Sequence, residues 1–525
     1  MFPTYDPEKR VLYYQRGKRY YINPIVYYIG DHSSGTSYYV DATSGSDTNS
    51  GTSKAAPWQT IAKVNASTFK PGDKILFKCG ETWREQLNIP SSGAPGKPIT
   101  ITSYGSGNKP KIYGSTVPSS WTQETALYYT TQTVDPLYIW FIATDTTIHS
   151  GNKVALKANL AADYDWWWDD PNDRLYIYSA SDPLTRYTSV EVGIPSITRG
   201  VMWVEDNHDY HTIDGLEVAF LDGAGIVSRN NATIINNYVH HLGGEDSSGG
   251  HSYGIEVNTG SNCIVASNTI SDVWLAGIYV TNFYDPYISD NNIIEHNTVS
   301  DCKQWGIYLK GETNSASLKN NIIRYNNVYH TSGFVPTTNY GMGITLFGNA
   351  VAHEVGANSI YYNRVFVKKG AIFISTYVIG SSIYNNSLIS TTGQGLWIDD
   401  TGTSGIIIKN NLVADATVYG LNIENVTCIA ECDYNCWYVA TGTVYARIGA
   451  TSYHFDDFAA YKAATGFDTN SVWANPNITS AVTPDFNLQA GSPCINAGVA
   501  LGFSADYTGK SVPQGAAPDI GAYEY

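Results

Sequence analysis

Between residues 237 and 423 the apolar positions of this chain recur in one phrase. An Asn is followed two positions later by an apolar residue, then by a turn of variable length. A small residue and an apolar-x-apolar triplet close the phrase. Seven copies begin at Asn237, Asn268, Asn297, Asn326, Asn363, Asn386 and Asn411. Their triplets are Ile255-Glu256-Val257, Ile278-Tyr279-Val280, Ile307-Tyr308-Leu309, Ile344-Thr345-Leu346, Ile372-Phe373-Ile374, Leu396-Trp397-Ile398 and Leu421-Asn422-Ile423. The Asn residues lie 31, 29, 29, 37, 23 and 25 positions apart. Short β-branched runs at such a period, broken by Gly and Asn, predict an all-β solenoid: a single-stranded parallel β-helix with one coil per repeat, stacked at ~4.8 Å. Alternation turns Ile255, Ile278 and Ile307 inward and the middle residue of each triplet outward. The Asn column itself reads as structural, because Asn tolerates left-handed turns and stacked amides satisfy one another.

Outside these coils the pattern divides the chain. Residues 1–34 are Tyr-rich and basic and read as an arm or attachment segment, with a disordered leader as the alternative. Residues 35–120 hold an N-terminal cap and the first coils. Their cap is a short helix opened by Pro57, with Trp58, Ile61 and Ala62 on one face, because a solenoid's end coil exposes unpaired edges. Residues 121–192, with Trp166-Trp167-Trp168, read as a small β insertion. Central coils are expected over 193–430, and C-terminal coils and a cap, including a helix near His454–Thr465, over 431–525.

The net charge of −16 argues against nucleic acid as a ligand. Residues 1–34 carry five basic and three acidic side chains, leaving 26 basic against 44 acidic in the remainder. Acidic columns of that kind suit cations such as Ca²⁺. No run of 18 apolar residues occurs, so no membrane span is expected. Met1–Arg19 has no apolar core of signal-peptide type; a removed signal, another export route or a place on a virion are the readings open. The seven cysteines, three of them at 428, 432 and 436, read as buried free thiols, with a zinc site as the alternative.

Three stretches resemble the right-handed parallel β-helix proteins of the pectate-lyase-like superfamily. They are Tyr39-Val40-Asp41 with Pro57-Trp58-Gln59-Thr60-Ile61 and Pro71-Gly72-Asp73; the repeat phrase; and Ser492-Pro493-Cys494-Ile495-Asn496-Ala497-Gly498 with Asp519-Ile520-Gly521-Ala522-Tyr523-Glu524. The resemblance covers about residues 38–525. It implies a right-handed coil and a protein that handles an extended, acidic glycan outside the cell: a polysaccharide lyase, a glycoside hydrolase, or a phage tailspike or adhesin. A tailspike would form a homotrimer docked to a larger assembly through residues 1–34. Fold does not choose among these.

Spacing suggests where chemistry sits. Asn-to-small distances are 8 or 9 in five copies but 17 in the first and fourth, so two long loops rise from one edge as the walls of a groove. Four residues after the Asn come His241, Asp272, Asp301 and His330 on the coils those loops bound. Asp272 and Asp301, one coil apart, form a candidate acid/base pair or cation site. Lys310, His251 and His330 are candidate proton-abstracting bases, and Glu256 is a further candidate acid. Tyr279, Tyr308, Trp305, Phe373 and Trp397 are candidate platforms for sugar rings. Eight of the eleven histidines fall between residues 208 and 353, which favours the middle coils.

Overall fold

The computed structural model describes residues 35–203, 209–243, 252–283, 288–312, 317–337, 340–349, 354–439 and 444–525, and the backbone of four short strands before residue 31. An attachment role for residues 1–34 therefore lies outside what it describes. So do His251 and most of the first long loop.

Three sheets run the length of the molecule, of 12, 11 and 12 strands. The first runs from Ser37–Val40 to Ile429–Asp433, the second from Thr82–Trp83 to Cys436–Trp437, and the third from Leu87–Ile89 to Thr451–His454. Pairing from coil to coil is parallel, apart from the last strand of the third sheet. This is the right-handed parallel β-helix, and its register is the one the repeat dictates. Ile255 pairs with Ile278, then Ile307, Ile344, Ile372, Leu396 and Leu421. All seven are fully buried in one continuous core. The small residue before each triplet is required by close approach. A Cβ on Gly254 would meet the Gly277 carbonyl oxygen at 2.4 Å, and one on Gly277 would meet the Gly306 carbonyl oxygen at 2.8 Å.

The Asn column lies at the corner between the first and second sheets. Asn237 Nδ2 donates to Asn268 Oδ1, Asn268 to Asn297, and Asn297 to Asn326, each at 3.0 Å. The ladder continues through Asn363, Asn386 and Asn411 and gains an eighth member, Asn435. The other amide hydrogen of each residue reaches back to a carbonyl of the preceding coil, as Asn297 Nδ2 does to Val265 O at 2.8 Å. A second ladder, not evident in the phrase, links Asn292, Asn321 and Asn358.

The helix near the N-terminus spans Ile61–Asn65 rather than opening at Pro57. Trp58 is instead extended and bridges Val40, with its N–H on the Tyr39 carbonyl. Thr60 caps the helix, and Ile61 and Val64 are its buried face while Ala62 is exposed.

From Ser115 to Gly193 the chain leaves the coils. Ser115–Thr116, Ile139–Ala143, Ile148–Ser150 and Tyr187–Gly193 form a four-stranded antiparallel sheet. Five further strands, including Asp165–Asp169 and Arg174–Tyr178, form a second sheet. This insertion docks on the second sheet: Tyr138 and Trp140 cluster with Tyr113, Ala219 and Phe220. Arg84 clamps the junction through Glu191, at 2.7 Å, and the Ser115 carbonyl, at 2.8 Å.

Candidate active site

At the corner between the second and third sheets one residue per coil adopts left-handed geometry: Phe220, His241, Asp272 and Asp301, with φ of 58°, 53°, 54° and 51°. Asp is a residue that tolerates this conformation readily. The corner turns these side chains out of the core and toward the insertion. Between the two lies a cavity of about 470 Å³. His241, Asp272 and Asp301 line its coil side, with Trp274, Lys303 and Phe334; Tyr138, Asn152, Lys153 and Trp166 line the opposite wall.

Asp272 and Asp301 are therefore brought together, on neighbouring coils whose strands pair Thr269 with Thr298 and Ser271 with Ser300. One coil step is ~4.8 Å. Asp272 is open to the cavity while protein surrounds its carboxyl on most sides. Burial raises its pKa above the usual carboxylate range, against the opposing influence of Ser271, His240 and Lys303. Burial also raises Asp301; the Asp272 charge adds to the shift, and the Thr331 N–H at 2.8 Å and Lys303 oppose it. Two adjacent carboxyls in such surroundings resist being ionised together.

The remaining charges of the cavity are tied. Lys153 Nζ pairs with Asp135 at 2.6 Å and lies 5.0 Å over the Trp166 ring. Lys303 donates to the Val335 carbonyl at 2.9 Å and lies 5.1 Å over Phe334. Among the described residues no group of three or more His, Cys, Asp and Glu is gathered as a metal site. A cation at Asp272 and Asp301 would have those two carboxylates as its acidic ligands. The zinc alternative for the cysteines has no such cluster either; six of the seven are buried, and all are free thiols.

Several expected site residues lie elsewhere. His330 is 3% exposed, accepts the Lys368 N–H on Nδ1 at 3.1 Å, and is held neutral by burial down to about 3. It packs on Phe334 at 4.2 Å and supports the cavity wall rather than supplying a base. Lys310 sits on the third sheet, ion-paired to Glu312 at 2.8 Å. Glu256, also on the third sheet, is buried, and burial lifts its pKa to about 7. Asn258 donates to it at 2.7 Å.

The outward column of the third sheet is not an open platform. Tyr279 and Tyr308 are only 4% and 6% exposed. Tyr253 stacks on Tyr279 at 4.2 Å and Trp305 on Tyr308 at 4.3 Å, and the Tyr279 hydroxyl donates to Glu312 at 2.6 Å. Rings on the same and on neighbouring coils cover each other's faces, which closes the column to a sugar. Phe373 and Trp397, stacked at 4.2 Å, remain half-buried and accessible.

The repeat spacing pointed to coils that line this cavity but not to the cavity's far wall. That wall comes from residues 137–153 and Trp166, more than 85 positions before Asp272 in sequence. The second long loop contributes Phe334. Asn152, Lys153 and Trp274 carried no repeat signal; the triple Trp was the one cue to that wall.

Comparison with known proteins agrees with this architecture. A family model described as "Right handed beta helix region" matches residues 191–353. A stretch of 99 residues is 43% identical to a lacto-N-biosidase of Bifidobacterium longum subsp. longum, covering 18% of this chain and 6% of that protein. Among solved structures, the complex of XylC with xylose superposes with a TM-score of 0.57 at 13% identity, covering 93% of this chain and 98% of the other. Pectate lyase Pel9A superposes with a TM-score of 0.51 at 16% identity, covering 94% and 98%. Repeat, register, family model and superpositions converge on one fold, the right-handed parallel β-helix.

Proposed function

We propose that this protein is a carbohydrate-active enzyme that hydrolyses a glycosidic bond of an extended glycan in the cavity between the coils and the insertion. The observation that carries the reading is the pair Asp272 and Asp301, one coil apart and facing the same cavity. Their step of ~5 Å matches the carboxyl separation of a retaining mechanism, in which one carboxylate attacks the anomeric carbon and the other protonates the leaving oxygen. The raised pKa values of both suit a proton-donating partner. Trp274 and Phe334 supply the apolar faces on which sugar rings rest. The stretch shared with a lacto-N-biosidase supports hydrolysis over β-elimination. Lys310 and His330, two of the bases suggested by the spacing, are engaged elsewhere. The site of action is outside the cell or on a virion.

The test is incubation of the protein with a panel of acidic and neutral polysaccharides, following reducing ends and absorbance near 235 nm together. Reducing ends alone, lost in Asp272→Asn and Asp301→Asn, support the reading. A parallel rise at 235 nm means β-elimination and overturns it. Binding without any product marks a glycan-binding fibre or adhesin instead.

A further inference from the structure

A chain of side chains leads from the second sheet into the cavity and has no part in the carboxylate pair. His240 and His241 bring their Nδ1 atoms to 2.8 Å, so one ring donates and the other accepts. On its other side His240 Nε2 lies 3.5 Å from Glu217 Oε1. The Tyr113 hydroxyl donates to the same Glu217 oxygen. Tyr238 stacks on the His240 ring at 4.1 Å and Phe220 meets it edge-on at 5.7 Å, which fixes its plane. His240 is buried, whereas His241 is half-buried and lines the cavity beside Asp272.

Charge decides which way the protons face. Burial opposes ionisation of Glu217, but the nearby His240 ring and the bond from Tyr113 prevail and hold the carboxyl below the usual range. An ionised Glu217 keeps a proton on His240 Nε2. His240 Nδ1 is then the acceptor, and His241 Nδ1–H the donor. The second ring nitrogen of His241, Nε2, is left as a bare lone pair on a residue that lines the cavity.

We propose that Glu217, His240 and His241 form a proton relay that serves as the proton acceptor of the cavity. The inference rests on the reading that chemistry occurs there, and adds a base to the two carboxylates. A water or sugar hydroxyl in the cavity gives its proton to His241 Nε2, and the oxygen keeps the electron pair. The Nδ1 proton of His241 passes to His240 Nδ1. His240 becomes an imidazolium paired with the Glu217 carboxylate, and His241 ends neutral with its proton on Nε2. One proton enters at the cavity and one positive charge appears beside Glu217. Burial and the His240 charge hold His241 itself neutral down to about 3, so it is a poor store for a proton. In a relay it need not store one. The charged and titratable groups facing the pair are Glu217, Tyr113 and Lys111 on one side, Tyr238 on the same strand, and Asp272 and Lys303 on the other.

Two readouts test it independently. In ¹⁵N-histidine-labelled protein near pH 7, the relay predicts His241 as the Nδ1–H tautomer with a bare Nε2, and His240 protonated on Nε2. Glu217→Gln should disturb both tautomers. A wild-type His241 protonated on Nε2, or tautomers indifferent to Glu217→Gln, overturns the relay whether or not a cleaved glycan is known. On a cleaved glycan, His241→Ala should lower kcat by about 10²-fold with little change in KM, and added imidazole should restore part of it. Glu217→Gln should lower kcat about tenfold, by analogy with other groups that orient a histidine. A His241→Ala protein that cleaves at the wild-type rate overturns the relay and leaves the carboxylate reading standing. A panel on which no variant and no wild type yields product removes that reading, while the tautomers still decide the relay.

Discussion

The corner column with His241, Asp272 and Asp301 and the third-sheet column with Glu256, Tyr279 and Tyr308 are made by the same coils, a few residues apart. Both stack acidic and aromatic side chains at one coil step. In the third-sheet column the rings meet face to face and the carboxyl is sealed: Tyr253 and Tyr279 stack at 4.2 Å, and Glu256 is 5% exposed. At the corner, left-handed geometry turns the side chains out of the core toward the insertion, which stands off and leaves about 470 Å³ between. A stacked column becomes a site where something faces it across a gap. Where its members can satisfy each other, it becomes wall.

That contrast orders the expected effects. The largest belongs to the corner. Asp272→Asn or Asp301→Asn should reduce cleavage by about 10³-fold with the thermal transition nearly unmoved, and Glu256→Gln should leave the rate within about threefold of wild type. A reversed ranking would move the chemistry to the third sheet. Next come the ladders that hold both columns in register. Asn297→Ala removes the acceptor of the Asn268 amide donors and the donor to the Val265 carbonyl, all buried. Each orphaned group costs about 1–3 kcal/mol, so denaturant unfolding should show a loss of at least that size.

Glu256 then gives a pH signature. Its folded pKa of about 7 lies above the ordinary 4.5, so the folded state binds the extra proton. Its contribution to stability is intact at low pH and is lost as pH rises from about 4.5 through 7. Glu256→Gln should therefore gain on wild type across that window, by up to about 3 kcal/mol in chemical unfolding. A difference independent of pH would mean the carboxyl is not sealed. The smallest effect is expected from Trp274→Ala. It should raise KM about fivefold with kcat retained, the worth of one stacked ring, ~1 kcal/mol.

Much of the coil was legible because its physics is periodic. Ile255, Ile278 and Ile307 recur in phase, the glycines before them answer a close approach between coils, and the Asn spacing equals the coil length. Asn435 escaped notice because the triplet after it is not repeated. Asn292, Asn321 and Asn358 escaped because they lie before the phrase begins. Asp272 and Asp301 were visible as a column, but whether they faced solvent, a partner or a gap was not. That depends on the insertion, whose Tyr138, Trp140 and Trp166 obey no period. The expected exposure of Tyr279 and Tyr308 failed for a related reason. Alternation tells which face a ring is on, and not whether its neighbours cover it. His240 and His241 form one dipeptide in the sequence; their relay appears once Glu217, on the coil before, is seen beside them.

The most direct test is a crystal structure of the Asp301→Asn protein soaked with a glycan that the wild type cleaves. The account predicts sugar density between Trp274 and Phe334 on one side and residues 150–153 on the other, with the scissile bond over Asp272. Density running along Tyr253, Tyr279 and Tyr308 on the third sheet, with the cavity empty, would contradict it.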